Sequence, residues 1–296
     1  MRGCVVLSGG DDVSDSFARS MANMLSSPYL AITRKIFPDG ESYVRIPSQA
    51  LEADRICVVK TLDRPQDKSF LELLLILDTL SSKGVKEIVA VVPYLAYARQ
   101  DREFLENEAV SVRTVLRAIR GAGASALYAI EVHKEESLRY FGGPAKSVSP
   151  FEYMADFIDI GENTVVIAPD LGARDRARRL ASKLGVDYDY LVKVRDRITG
   201  EVSYKPKELN VEGSHVVLVD DIISTGGTVA KASRILLERG ARTVTVVVAH
   251  ALLVDGAWRK LRDAGVSRVY AANTVKPAEG DPVIIDVAPL VARELA

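Results

Sequence analysis

The sequence predicts an α/β protein of two similar domains, each a mostly parallel sheet flanked by helices. Short apolar, β-branched runs alternate with helical patterns along the chain, as parallel sheets covered on both faces require. Two stretches of the first half recur, in the same order, in the second. A length of 296 residues is also large for one core and comfortable for two.

The apolar runs fall at residues 5–7, 56–59, 88–92, 126–130, 165–168, 216–219, 244–249 and 268–272. Helical patterns at 70–82, 111–120, 174–184, 229–239 and 256–263 lie between them. Lys83-Gly84-Val85-Lys86-Glu87-Ile88 parallels Arg239-Gly240-Ala241-Arg242-Thr243-Val244, each a helix closed by glycine before a β-branched strand. Ala122-Gly123-Ala124 through Tyr128 likewise parallels Ala264-Gly265-Val266 through Tyr270. The boundary is expected near Gly142-Gly143-Pro144, after a helix over 135–141, giving domains 1–143 and 144–296.

A net charge of −1 without acidic or basic blocks gives no reason to expect a nucleic-acid or membrane partner. The arginines of 174–179 are interrupted by Asp175 and read as a solvated helix face. No signal peptide and no membrane-length apolar run is present, so a cytoplasmic location is expected. Cys4 and Cys57 lie in strand-like runs and are expected to be buried core thiols rather than a disulfide or a metal pair.

The most informative stretch is residues 216–228. A buried apolar strand runs into Asp220 and Asp221, then into Ser224-Thr225-Gly226-Gly227-Thr228 and at once into a helical pattern. Open α/β sheets bind ligands at strand carboxyl ends, and glycines, hydroxyls and free helix N–H groups suit an anion. Carboxylates repel phosphate, so the acid pair should face sugar hydroxyls or a metal-bound hydroxyl. A sugar phosphate satisfies both halves. No Gly-Lys-Ser/Thr follows the glycines, so this is not a Walker loop.

Other clusters are more open to interpretation. Phe37-Pro38-Asp39-Gly40-Glu41 is by local physics a hairpin-like turn, whose ring and carboxylates could also hold a base. Arg99, Gln100 and Arg102 follow a strand, where they could hold a polyphosphate or form a surface salt-bridge cluster with Asp101 and Glu103. His133 and Asp170 each close a strand and could reach a divalent cation, though strand-end histidines are commonly structural. Lys193 and Arg195 alternate on an extended segment before the turn or mobile loop at 199–201. They could neutralise a transferring phosphoryl group or sit on a solvated tip.

Taken together, the pieces Phe37–Glu41, Pro93 to Arg102, Pro169-Asp170, Lys193–Arg195 and Asp220–Thr228 resemble ribose-phosphate diphosphokinases, also called phosphoribosyl-pyrophosphate synthetases. The resemblance runs from Phe37 to about Pro277 and is closest to the shorter archaeal-type members. It implies a duplicated phosphoribosyltransferase-like fold, the substrates ATP and ribose 5-phosphate, Mg²⁺, and a homo-oligomer of at least two chains. The first domain would then carry the ATP side and subunit contacts.

By that resemblance, Phe37, Asp39 and Glu41 form an adenine pocket lent across a subunit interface. Arg99, Gln100 and Asp101 lie along ATP, and His133 and Asp170 bind Mg²⁺. Lys193 and Arg195 are catalytic. Asp220 and Asp221 hold the ribose, and Ser224, Thr225, Gly226, Gly227 and Thr228 hold its 5-phosphate. Ser224 stands where many bacterial and animal members have an acid, and residues 196–204 do not match their arginine-rich loop. A phosphoribosyltransferase shares the 220–228 loop but leaves the first domain unexplained. A non-catalytic regulatory paralogue is the other alternative, against which the intact Lys193, Arg195, Asp220, Asp221 and Thr228 weigh.

Overall fold

The computed structural model describes residues 4–195, 202–204 and 209–296. They form two compact units. Unit 1 holds residues 1–149 with 273–275 and 286–296, and unit 2 holds 150–272 with 276–285.

Unit 1 runs β1 (Val5–Ser8), α1 (Asp12–Leu25), β2 (Tyr29–Ala31), β3 (Thr33–Ile36), β4 (Ser42–Arg45), α2 (Ser48–Leu51) and β5 (Arg55–Val59). It continues through α3 (Gln66–Ser82), β6 (Glu87–Val92), α4 (Ser111–Gly121), β7 (Ala126–Ile130) and β8 (Ala145–Val148). Six strands form one sheet in the order β2-β1-β5-β6-β7-β8, every neighbouring pair parallel. The antiparallel hairpin β3–β4 stands apart from it.

Unit 2 runs α5 (Phe151–Met154), β9 (Thr164–Ala168), α6 (Arg174–Leu184), β10 (Asp187–Tyr190), β11 (Lys193–Arg195), β12 (Val202–Tyr204) and β13 (His215–Ile223). Then come α7 (Gly227–Glu238), β14 (Thr243–Ala251), α8 (Ala257–Asp263), β15 (Val266–Ala272) and β16 (Val283–Ile285). Its six-stranded sheet, β10-β9-β13-β14-β15-β16, is again all parallel and repeats the order of the first. The chain then returns to unit 1 as α9 (Ala288–Leu295), packed on α1.

Burial explains why these segments take these forms. Strands β5 and β6 are apolar on both faces because helices cover both. Helix α3 buries Leu73, Ile76, Leu77 and Leu80, the spacing of one helical stripe. Each such side chain contributes roughly 1.5–3 kcal/mol through removal from water. In unit 2, Ile167, Leu218, Val246 and Val269 of the sheet pack with Val229, Leu236 and Leu261 of the helices.

All eight sequence-predicted strands appear, as β1, β5, β6, β7, β9, β13, β14 and β15. The repeated stretches are β6 with β14 and β7 with β15, which hold the same place in each sheet. The edge strands β2 and β8 and helix α1 escape the pattern, because short edge strands carry little apolar signal. Residues 135–141 form a 3-10 helix where an α-helix was expected. The compact units part at 149/150 rather than 143/144, because β8 completes the first sheet.

The cysteines correct the sequence reading. Both are buried, but they are joined as a disulfide, with Cα atoms 6.2 Å apart. Strands β1 and β5 are neighbours with Val6 opposite Cys57, and Cys4 shares the face of Val6, which brings the sulfurs together. Without reductant, the peptides carrying Cys4 and Cys57 should therefore be recovered linked from a digest. Reduction should lower unfolding stability by about 2–4 kcal/mol in a denaturant titration.

Candidate active site

Unit 2 carries the acid pair and the glycine turn. β13 is longer than the sequence indicated, because it runs through Asp220 and Asp221 to Ile223. The carboxylates nevertheless sit at an opening. Pairing with β9 stops at Leu218↔Ile167, whereas pairing with β14 continues to Ile223↔Ala251. One flank of the strand is thus uncovered from Asp220 onward, which is where a ligand can approach.

Asp221 is buried, and its carboxylate lies 3.6 Å from the Arg176 guanidinium of α6. Asp220 is half-buried, and its Oδ1 accepts the Asp221 amide at 2.9 Å. Burial pushes the Asp220 carboxyl well above the ordinary range, and the Asp221 charge and hydrogen bond add to the rise. Arg176 opposes it, and the Asp170 carboxylate reinforces it. Asp170, at the end of β9, caps the following turn by accepting from the Gly172 and Ala173 amides at 2.9 and 3.2 Å.

Beyond Ile223 the chain turns through Ser224 and Thr225 into Gly226, whose φ is +74°. A Cβ there would meet Ala257 at 3.3 Å in a left-handed conformation, so glycine is required. Around Gly227 nothing lies within 4 Å of where a Cβ would be, so the backbone is approachable there. No side-chain cap closes α7, and its dipole and first-turn amides face the turn. The Ser224 carbonyl accepts from Val254, which fixes the turn to the β14–α8 connection.

Lys193 and Arg195 lie on β11, which pairs antiparallel with β12 at Lys193↔Tyr204 and Arg195↔Val202. The predicted loop at 199–201 falls outside the described residues.

Unit 1 holds the remaining predicted residues. Phe37–Glu41 closes the β3–β4 hairpin, with the Phe37 amide donating to the Glu41 carbonyl at 2.8 Å. The Phe37 ring meets Tyr43 edge-on at 5.8 Å, and the Lys35 ammonium lies over both rings. Asp39 and Glu41 are exposed. Arg99 is exposed after β6, while the Gln100 amide reaches Glu108 at 3.2 Å. Glu108 also accepts from the Leu105 and Phe104 amides, which hold its carboxyl below the usual range and order this loop. Asp101 stands 3.9 Å from Arg102, a loose pair. His133 is half-buried beyond the end of β7.

Carboxylate oxygens such as those of Asp170 and Asp220 suit a hard cation, which would also offset the burial and neighbouring negative charge that raise Asp220. Among the described residues no group of three or more His, Cys, Asp or Glu closes round one point. A bound Mg²⁺ would thus complete its shell with water and phosphate oxygens.

Sequence reasoning missed Arg176. Its neighbours Arg178 and Arg179 do pair with Asp175 on an exposed face, as expected, but Arg176 turns inward to Asp221. Its place in the first turn of α6, after the end of β9, was the available signal.

A profile described as the N-terminal domain of ribose phosphate pyrophosphokinase matches residues 5–123, and a phosphoribosyl transferase domain profile matches 152–283. The chain is 46% identical to a ribose-phosphate pyrophosphokinase of Sulfurisphaera tokodaii over 97% of its length and 99% of the relative's. It is 41% identical to one of Methanopyrus kandleri, covering 98% of this chain and 97% of that one. Among solved structures it is similar to a phosphoribosylpyrophosphate synthetase from Mycobacterium smegmatis, with a TM-score of 0.84 and 28% identity. That match covers 99% of this chain and 97% of the other. No helix among the described residues is long and apolar enough to cross a membrane.

A carboxyl with a raised folded pKa holds its proton more tightly in the folded state. It therefore favours folding at low pH and opposes it once pH rises through the folded value. Asp220→Asn, heated in chelator-treated buffer, should raise Tm at pH 7 by about 2–4 °C. The gain should fade as pH falls toward the ordinary carboxylate range, and turnover should be lost.

Proposed function

The chain belongs to the ribose-phosphate pyrophosphokinase family, and on that premise we propose how its residues divide the work. It transfers the diphosphoryl group of ATP to the 1-hydroxyl of ribose 5-phosphate, giving phosphoribosyl pyrophosphate and AMP. The observation that carries this reading is the junction in unit 2. There a strand delivers two repelling carboxylates straight into a glycine turn and an uncapped helix N-terminus.

The 5-phosphate rests on the amides and hydroxyls of Ser224, Thr225, Gly226, Gly227 and Thr228, where the α7 dipole favours negative charge. Asp220 and Asp221 accept hydrogen bonds from the ribose hydroxyls and set the sugar's orientation, while Arg176 restrains Asp221. The adenine ring stacks on Phe37, and Asp39 and Glu41 accept its amino protons. Arg99, Gln100 and Asp101 lie along the ATP chain.

The 1-hydroxyl oxygen forms a bond to the β-phosphorus as the bond to the α-phosphate oxygen breaks, and AMP leaves. No covalent enzyme intermediate is needed, so orientation and charge neutralisation dominate. Lys193 and Arg195 neutralise charge that builds on the β-phosphate and the leaving group. Mg²⁺ would supply further neutralisation of the polyphosphate, and Asp170 of unit 2 and His133 of unit 1 are each proposed as a residue that could reach such an ion.

We place the protein in the cytoplasm as a homo-oligomer of at least two chains. Support for the second statement comes from apolar side chains left in solvent at the hairpin and α3. Ile36 is 52% exposed, Phe37 39% and Leu71 51%.

Incubation with ATP, ribose 5-phosphate and Mg²⁺ should yield AMP and phosphoribosyl pyrophosphate one for one, only when the sugar phosphate is present. ADP as product would instead mean single-phosphoryl transfer. Lys193→Ala should lower kcat by about 10²–10³-fold with apparent KM values little changed. Normal kcat with raised KM values would remove Lys193 from the chemical step.

A further inference from the structure

Lys60 follows β5, which takes in unit 1 the place that β13 takes in unit 2. Leu7 pairs with Val58 as Ile167 pairs with Leu218, and Val59 pairs with Val91 as Val219 pairs with Val247. Lys60 therefore stands at the sheet position of Asp220. Where unit 2 presents a carboxylate at an opening, unit 1 places an ammonium with no exposure at all.

That ammonium is held from three sides. Its Nζ lies 2.8 Å from Asp11 Oδ2, 2.8 Å from Glu72 Oε2 and 3.5 Å from the Gly9 carbonyl. The aliphatic stem crosses Gly9 so closely that a Cβ there would sit 2.4 Å from Lys60 Cδ. Asp11 in turn caps α1, accepting from the Ser14 amide at 2.9 Å and its hydroxyl at 2.7 Å. Burial pushes the Asp11 carboxyl up, but Lys60 and Ser14 outweigh it and hold the group below its ordinary value. The helix N-terminus and strand end that could receive an anion are both filled by the chain itself.

Glu72 carries this arrangement outward. It is 1% exposed, and its second oxygen, Oε1, accepts from the Ser42 hydroxyl at 3.0 Å and lies 3.4 Å from Arg34 Nε. Ser42 and Arg34 belong to β4 and β3, the two arms of the hairpin whose turn carries Phe37, Asp39 and Glu41. We propose that Lys60 and Glu72 are positioning residues for the nucleotide. They turn the ligand end of the first sheet into an anchor that fixes the β3–β4 hairpin against α3. A buried charge set of this kind cannot slip without leaving a charge unpaired, so the hairpin is held stiff before the base arrives. Stiffness of that kind lowers the ordering cost of binding.

This inference rests on the assignment of Phe37, Asp39 and Glu41 to the adenine pocket, and its test separates the two. Ser42→Ala combined with Arg34→Met cuts the hairpin from Glu72 and leaves Lys60, Asp11 and Glu72 in contact. The KM for ATP should rise about tenfold, as loss of a charge-assisted hydrogen bond implies. The KM for ribose 5-phosphate and kcat at saturating ATP should stay near wild type. Ser42→Thr, which keeps the hydroxyl, should retain the wild-type KM. Phe37→Ala is measured alongside. If it raises the KM for ATP and the double variant does not, the anchor is overturned while the pocket stands. If neither variant moves the KM for ATP, the pocket assignment fails and takes the anchor with it. A rise in both KM values together with a fall in Tm would make the contact structural only and overturn the proposal.

Discussion

Asp220 and Asp221 are neighbours on a strand covered on both faces, and their mutual repulsion is what the surrounding part of unit 2 must answer. Arg176 reaches in from α6 to take one carboxylate, while the other keeps its proton more firmly than a free aspartate would. The burial and neighbouring charge that raise Asp220 are the functional asset. Hydroxyl donors or a cation entering from the uncovered flank of β13 are welcomed by them. The neighbouring turn and α7 offer the opposite polarity a few residues along the chain, so one ligand with a sugar end and an anionic end suits both. The site trades stability for binding, as active sites commonly do.

The duplicated sheet shows how little need change to reverse such a site. Strand order and register are shared, so Lys60, just after β5, and Asp220, within β13, fall at equivalent points. A lysine at one and an aspartate at the other give opposite outcomes. In unit 1 the cation recruits Asp11 and Glu72 from its own chain and the space closes. In unit 2 Arg176 pairs with Asp221, and the flank of β13 from Asp220 onward stays uncovered. The fold supplies two equivalent strand ends, and side-chain charge distinguishes the one that is filled from the one that is open.

Much of this is legible in the sequence, for identifiable reasons. The strands of each sheet centre are long β-branched runs, so periodicity finds them, and the glycine-closed helices make the repeat visible. The 216–228 stretch is local, with strand, acids, turn and helix all within one short segment. What escaped depends on contacts across the sheet. Cys4 and Cys57 are 53 residues apart, and only the pairing of β1 with β5 puts them on one face. Lys60, Glu72 and Arg176 look like ordinary surface charges until the helices bring their partners in. The extent of β13 escaped too, because pairing with β14 carries the strand past two acids that would normally end it.

Equilibrium dialysis with Mg²⁺ and a non-transferable ATP analogue gives the number of ribose 5-phosphate molecules bound per chain. If the junction of β13 and α7 is the sugar-phosphate site, one molecule binds per chain, and binding is abolished by Gly226→Val, which forces a Cβ into the left-handed turn against Ala257. Two per chain, or one that survives that substitution, would contradict that assignment.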